Sequence, residues 1–388
     1  MAKTALILGG GFAGLEAAIR LAKGGLDVTL VSDRPYLFVY PTSIWIATGE
    51  RQFDDVCLDL ADVAKRRGFN FVQGDVASIE AARRTARVDG RELSADFLVI
   101  AVGSQALKAP GIEHTLALGG APENVTRLKA ALDALLARGE GKIALGFGGN
   151  PKDGSSVRGG PVFELMFNID HLLRKRGVRG RFELTFFAPM ASPGERMGQK
   201  AVKAIQALFE KRGIGMRFGK KITRFEASSV LFEDGSVLAS DLTVFVPAGE
   251  GHPVLAAAQL PKSDAGFVTT DETSAVPGLE GVYAIGDAAA LLGPTWKAKQ
   301  GHLAEVMAKV AANNILATVH GRPERRSYVP LVSIVCLMDM GDGAALVQRN
   351  ERKERLVPLP VVGHWMKRGW GAYYALSKRG QVPSLSGM

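Results

Sequence analysis

An α/β fold with two parallel sheets, each covered by helices, is what the sequence predicts, on three observations. A short apolar run at residues 4–8 leads into the glycine frame Gly9-x-Gly11-x-x-Gly14 and then into a helical pattern. Two more apolar runs, at 96–102 and 281–285, end in small residues, as buried parallel strands do before a ligand-facing turn. A second glycine cluster, Gly146-Phe147-Gly148-Gly149, closes another run at 141–145, so strand–helix alternation repeats. The expected organisation is two Rossmann-like dinucleotide-binding domains, the first split in sequence by the second. Residues 1–108 and 262–325 form the first, 109–261 the second, and 326–388 a C-terminal segment.

Each element has a physical reason. In the first frame Gly9 permits the tight turn, Gly11 lets backbone approach a pyrophosphate, and Gly14 lets helix pack on strand; Phe12 and Ala13 lie between them at the helix N-terminus that faces the anion. The next strand, 27–32, ends at Asp33, 19 residues after Gly14, where a carboxylate should accept hydrogen bonds from an adenosine ribose; Arg34 follows it. Ala101 and Gly103 lie in the turn after the 96–100 strand, on the same expected site. A content of 47% hydrophobic and 22% charged residues excludes a disordered chain. The net charge of +9 favours anionic partners, yet no nucleic-acid module is present. Eight Lys or Arg against two acids lie between Arg349 and Met388, so most of the excess sits at the C-terminal end. Two cysteines, Cys57 and Cys336, exclude a disulfide scaffold. No run is long enough for a signal peptide or a membrane span, which makes the cytoplasm the expected location.

The segments 96–104 and 281–288, with Gly286-Asp287, resemble the pyridine nucleotide-disulfide oxidoreductase superfamily at this order and spacing. That resemblance implies FAD, with the Asp287 carboxylate on its ribityl chain; a simple helix N-cap is the bland alternative for Asp287. The second domain departs from a nucleotide site. After Gly149 come Asn150-Pro151-Lys152-Asp153-Gly154, which cannot start a helix, and the next helix is expected near Pro161. The strand 182–187 ends in Ala188-Pro189-Met190 with no ribose-binding acid, so these glycines are expected to be a structural remnant.

Gly159-Gly160-Pro161-Val162-Phe163-Glu164, Lys299-Gln300-Gly301-His302-Leu303-Ala304-Glu305 and Val335-Cys336-Leu337-Met338-Asp339 resemble elements of sulfide:quinone oxidoreductases and of the flavoprotein subunit of flavocytochrome c sulfide dehydrogenases. The likeness runs from about residue 3 to 380. It implies catalytic roles for Cys336, a redox thiol, for Glu164, a proton shuttle, and for Lys299, which would stabilise negative charge on reduced FAD or activate the thiol. A buried strand cysteine, a carboxylate at a helix start and a solvated lysine are the bland alternatives. One departure stands out: the family uses a pair of thiols, and where the other would lie this chain has Arg158. No cysteine occurs near Tyr40–Trp45, so FAD is expected to be non-covalent. Cys57 falls in a helical apolar pattern and reads as buried structure.

Near the C-terminus Met366, Trp370, Tyr373 and Ser377 recur at helical steps, with Lys367, Arg368, Lys378 and Arg379 among them. This is the profile of an amphipathic helix against anionic headgroups, or else of a helix docked on its own domain or on a homodimer partner. The function expected from all this is passage of electrons from a reduced-sulfur or other small donor, through FAD, to a quinone, at the inner face of the cell membrane. A type II NADH:quinone dehydrogenase-like enzyme and a non-catalytic redox-sensing flavoprotein are the alternatives.

Overall fold

A computed structural model describes residues 2–119 and 121–384. The chain begins with β1 (Thr4–Leu8), α1 (Phe12–Lys23), β2 (Asp27–Ser32), α2 (Leu60–Arg67), β3 (Asn70–Gln73) and β4 (Phe97–Ile100). It goes on through α3 (Glu123–Arg138), β5 (Gly141–Phe147), α4 (Gly160–Lys175), β6 (Phe182–Ala188), α5 (Gln199–Arg212), β7 (Ile214–Phe218) and β8 (Leu242–Val246). It then returns through β9 (Val282–Ala284) and α6 (Gly301–Val319).

The first sheet has the order β9-β4-β1-β2-β3 and the second β7-β6-β5-β8, and every pair in both is parallel. Both therefore run outward from a central first strand and reverse beside it, which opens a crevice at the strand ends. The central strands are buried on both faces, which is why they read as unbroken apolar runs. Around the second sheet Phe147, Phe163, Phe186 and Phe209 pack together, with the Phe163 and Phe186 rings stacked 4.6 Å apart. Helix α4 does not follow β5 directly. Asn150 turns back to donate to the Gly249 carbonyl at 2.9 Å, Asp153 accepts the Ser155 N–H at 2.8 Å, and the helix starts only at Gly160 with Pro161 in its first turn.

The C-terminal segment is an antiparallel meander, β10 (Ile334–Asp339), β11 (Gly343–Arg349) and β12 (Glu354–Pro360), with α7 (Val362–Arg379) laid across it. Gly363 makes that approach possible, since a Cβ there would lie 2.5 Å from the Ala344 Cβ. No helix among the described residues is long and apolar enough to cross a membrane.

Two expectations need correction. Cys57 is not helical: it opens the strand Cys57–Asp59, paired with Tyr36–Phe38, and is half-buried. Asp59 accepts the Asp62 N–H at 2.7 Å, and this cap starts α2 at Leu60, three residues after the cysteine. The outward line of α7 is also different. Val362, Trp365, Met366 and Leu376 are exposed, whereas Ser377 is buried. Lys367 and Lys378 are buried while Arg368 and Arg379 stay partly exposed, and each of the four is paired with an acid of the protein body. Lys367 bonds Glu164, Arg368 bonds Glu50 at 3.1 Å, Lys378 bonds Glu16 at 2.5 Å and Glu305 at 2.8 Å, and Arg379 faces Asp62 at 3.3 Å.

Candidate active site

The glycine frame forms a cradle at the end of β1. Gly9 has φ of +114°, and a Cβ there would overlap the Ala101 carbonyl. A Cβ on Gly14 would overlap the Gly9 carbonyl, so strand, turn and helix touch through bare backbone. Gly11 differs from both, for a Cβ would meet nothing within 4 Å. The chain leaves that space open at the N-terminus of α1, which has no side-chain cap and no acid in its first turn. Unclaimed N–H groups at a positive helix end suit a pyrophosphate. Asp33, at the end of β2, is exposed beside this opening's strand, with Arg34 Nε 3.5 Å from its carboxylate. Ala13 lies against Gly286, where a Cβ would come within 2.9 Å of it, so the α1 turn abuts the turn that carries Asp287. Gly103 has φ of +75° and Gly286 of +64°, both in the left-handed region. These residues fit FAD, which asks for an open anion cradle, a ribose acid and a ribityl acid along one crevice.

Asp287 sits in a 3-10 turn, Gly286–Ala288, with no helix after it and no side-chain capping bond, so the N-cap alternative falls. Its carboxylate pairs with Arg158, whose Nη2 also donates to Ser104 Oγ at 2.7 Å. Arg158, just before α4 beside the second sheet, therefore bonds to the turns that follow β4 and β9 of the first sheet. Lys299 is not a solvated lysine. It is buried, donates to the Asp287 carbonyl at 3.2 Å and to the Ala289 carbonyl, and lies 3.9 Å from the centre of the Phe267 ring. Burial, only partly opposed by Asp287 and Asp153, holds its ammonium down to about 8. Against an ordinary value of 10.5, the unfolded chain binds more protons between those limits, so Lys299 makes stability rise as pH climbs from about 8 to 10.5. Lys299→Met is expected to flatten that rise, read as denaturant midpoints across the same window.

The third group lies where α4, β10 and α7 meet. Glu164 is only 4% exposed and accepts from Lys367 Nζ and, at 3.1 Å, from the Asp339 N–H. Burial raises its carboxyl, with Lys367 pulling the other way. Cys336 Sγ is 4.0 Å from Glu164 Oε1. Burial and then the Glu164 charge push the thiol up to about 12, so it is protonated at neutral pH. The cation that acts on Cys336 is Lys367; the expected activation by Lys299 is not what the structure shows. His364 Nδ1 lies 2.7 Å from Asp339 Oδ2, and its ring meets Trp45 edge-on at 5.7 Å. The Tyr40 hydroxyl and the Trp45 indole N–H are buried with no hydrogen-bond partner among the described residues.

Sequence reasoning missed Tyr40, Lys367, Asp339 and His364, and it noticed Arg158 only as an absent thiol. Nothing local marks these residues; their roles come from contacts between distant segments.

Residues 3–312 match the pyridine nucleotide-disulphide oxidoreductase family. A sulfide-quinone reductase of Aquifex aeolicus is 25% identical over 402 aligned residues, covering 96% of this chain and 90% of that one. A demethylphylloquinone reductase of Synechocystis sp. is 26% identical over 369 residues, covering 88% and 85%. The X-ray structure of the Aquifex aeolicus sulfide:quinone oxidoreductase has the same fold, with a TM-score of 0.88 at 24% identity over 99% of this chain and 93% of that chain. With a cradle that fits FAD and a family match across both sheets, the chain belongs to the pyridine nucleotide-disulphide oxidoreductases and is an FAD-dependent oxidoreductase.

Proposed function

We propose that the chain takes electrons from a small donor into non-covalently bound FAD and passes them to a quinone. One observation carries this: relatives that align along most of both chains are quinone reductases, although one name gives sulfide as the donor and the other gives none. Bound FAD supplies the two-electron chemistry, and the chain's own residues do the rest. Gly11 and the α1 N-terminus hold the pyrophosphate, Asp33 and Asp287 hold the two polyol parts, and Lys299 places positive charge beside the Asp287 turn. Glu164 and Lys367 hold a proton at a buried site next to Cys336.

A quinone is dissolved in lipid, and an apolar surface supports attachment to the inner face of the membrane. Val335 of β10, Val357 of β12 and Val361, Val362, Trp365 and Met366 at the start of α7 are all exposed. The donor is a reduced-sulfur species or another small reductant. Arg158 in place of a second thiol rules out a disulfide at this position, and the protonated Cys336 disfavours attack by it.

Anaerobic mixing of the holoprotein with sulfide, with NADH and with a panel of small thiols tests this. One sulfur donor is expected to bleach the visible flavin band within seconds, and a short-chain quinone to restore it. Bleaching of Cys336→Ser as fast as wild type would take the thiol out of the donor step. Rapid bleaching by NADH alone would replace the donor, and failure of every quinone to restore the colour would remove the acceptor.

A further inference from the structure

A chain of polar side chains runs from the buried Glu164–Lys367 pair to the surface, and the site described so far does not use it. Asp339 is wholly buried and faces two ways. Its N–H donates to Glu164 at 3.1 Å, while Oδ1 accepts the Gly341 N–H at 2.8 Å and Oδ2 lies 2.7 Å from His364 Nδ1. His364 Nε2 faces Glu50 Oε2 at 3.7 Å, and that carboxylate is about one-third exposed. The other charges around the ring are Arg368, which holds Glu50 at 3.1 Å, Lys367 on the next turn of α7, and Glu164 on α4. The Arg212–Asp342 pair, at 3.3 Å, lies beyond the Gly341 turn.

An imidazole with one nitrogen on a buried carboxylate and the other turned to a surface acid can take a proton at one side and release one at the other. A structural histidine has no need of the second contact, and a buried aspartate is costly unless its charge has a partner. We propose that His364, backed by Asp339 and opening on Glu50, is the proton inlet for the Glu164–Lys367 pair on the acceptor side. This role rests on the quinone acceptor proposed above. Reduction of one quinone to its quinol takes two electrons and two protons; a hydride from the reduced cofactor would carry both electrons with one proton, which leaves at least one proton to come from solution. The inlet carries protons only: from solvent to Glu50, to His364 Nε2, out at Nδ1 to the Asp339 carboxylate, and on to Glu164. Two steps are not bonded directly: Glu50 to His364 Nε2, at 3.7 Å, and Asp339 to Glu164. At each of them a bridging water would carry the proton.

Two acceptors separate this role from a structural one. Ferricyanide takes electrons with no proton, whereas a quinone needs both. In the reduced holoprotein, His364→Gln is expected to slow reoxidation by a short-chain quinone about tenfold, to recover with added imidazole, and to leave the ferricyanide rate unchanged. Glu50→Gln, at the surface, should give a smaller loss with the same selectivity and an unaltered melting temperature. A readout independent of turnover is the His364 Nδ1 proton in histidine-labelled NMR spectra. It should lie far downfield through its bond to Asp339 and exchange with solvent more slowly in Glu50→Gln. Equal slowing with both acceptors, or no slowing in either variant, overturns the inlet and leaves the quinone acceptor standing. A wild type that ferricyanide reoxidises and no quinone does overturns both.

Discussion

Gly11→Ala will give a folded protein that purifies without colour. The position has φ of −76°, which alanine adopts without strain, and the added methyl meets no protein atom within 4 Å. Losing glycine at a helix N-cap changes stability by no more than about 1 kcal/mol. The methyl instead occupies the opening at the α1 N-terminus, where the pyrophosphate must approach bare backbone. Two lost charge-assisted hydrogen bonds at roughly 1.5 kcal/mol each amount to about 3 kcal/mol, or a fall in FAD affinity of about 100-fold. FAD titration by fluorescence quenching measures the loss, and the melting temperature of the stripped protein checks the fold. Gly14→Ala is the contrast, because its methyl collides with the Gly9 carbonyl and takes the turn itself apart. A coloured Gly11→Ala protein of wild-type affinity would put the cofactor somewhere else.

Lys367→Met will destabilise the protein more than any single loss on its surface. Glu164 would remain buried with its countercharge gone, and stranding one partner of a buried pair costs about 3–5 kcal/mol. The sign of the pH dependence follows from the raised carboxyl. Removing the lysine that pulls it down raises it further, so the folded variant holds a proton that the unfolded chain gives up above the ordinary value of 4.5. The penalty therefore grows as pH rises from there through the folded value, and it shrinks in acid. Thermal scans at several pH values should show a deficit on the order of 10 °C near neutrality, narrowing toward low pH. Adding Glu164→Gln should restore most of it, since a neutral amide needs no cation. A single variant that melts with wild type would mean that Glu164 already carries a proton in the native protein.

The frame Gly9–Gly14, the acid Asp33 and the turn Gly286-Asp287 were legible because each depends on residues next to it in sequence. Turn sterics, strand burial and helix ends are local physics. The start of α4 at Gly160 was legible for the same reason, through Pro151 and the polar stretch after it. The Glu164–Lys367 bond spans 203 residues and the Arg158–Asp287 pair 129, and no periodicity encodes a partner at that range. The misjudged face of α7 has the same origin. Its lysines and arginines have the spacing of a solvated, headgroup-seeking stripe, and only the acids waiting on α1, α2, α4 and α6 and at Glu50 pair those charges with the protein body. Cys336 was found as a residue but not as a chemical state, since the burial that keeps its thiol protonated comes from three separate elements.

Those paired charges impose an order on biosynthesis. Glu16, Glu50, Asp62, Glu164 and Glu305 all leave the ribosome before the helix that neutralises them. Until residues 362–379 emerge, a nascent chain that closed around Glu16 or Glu164 would enclose an acid without its cation. Both sheets can pair early, but the buried acids Glu16 and Glu164 gain these cations only when α7 docks.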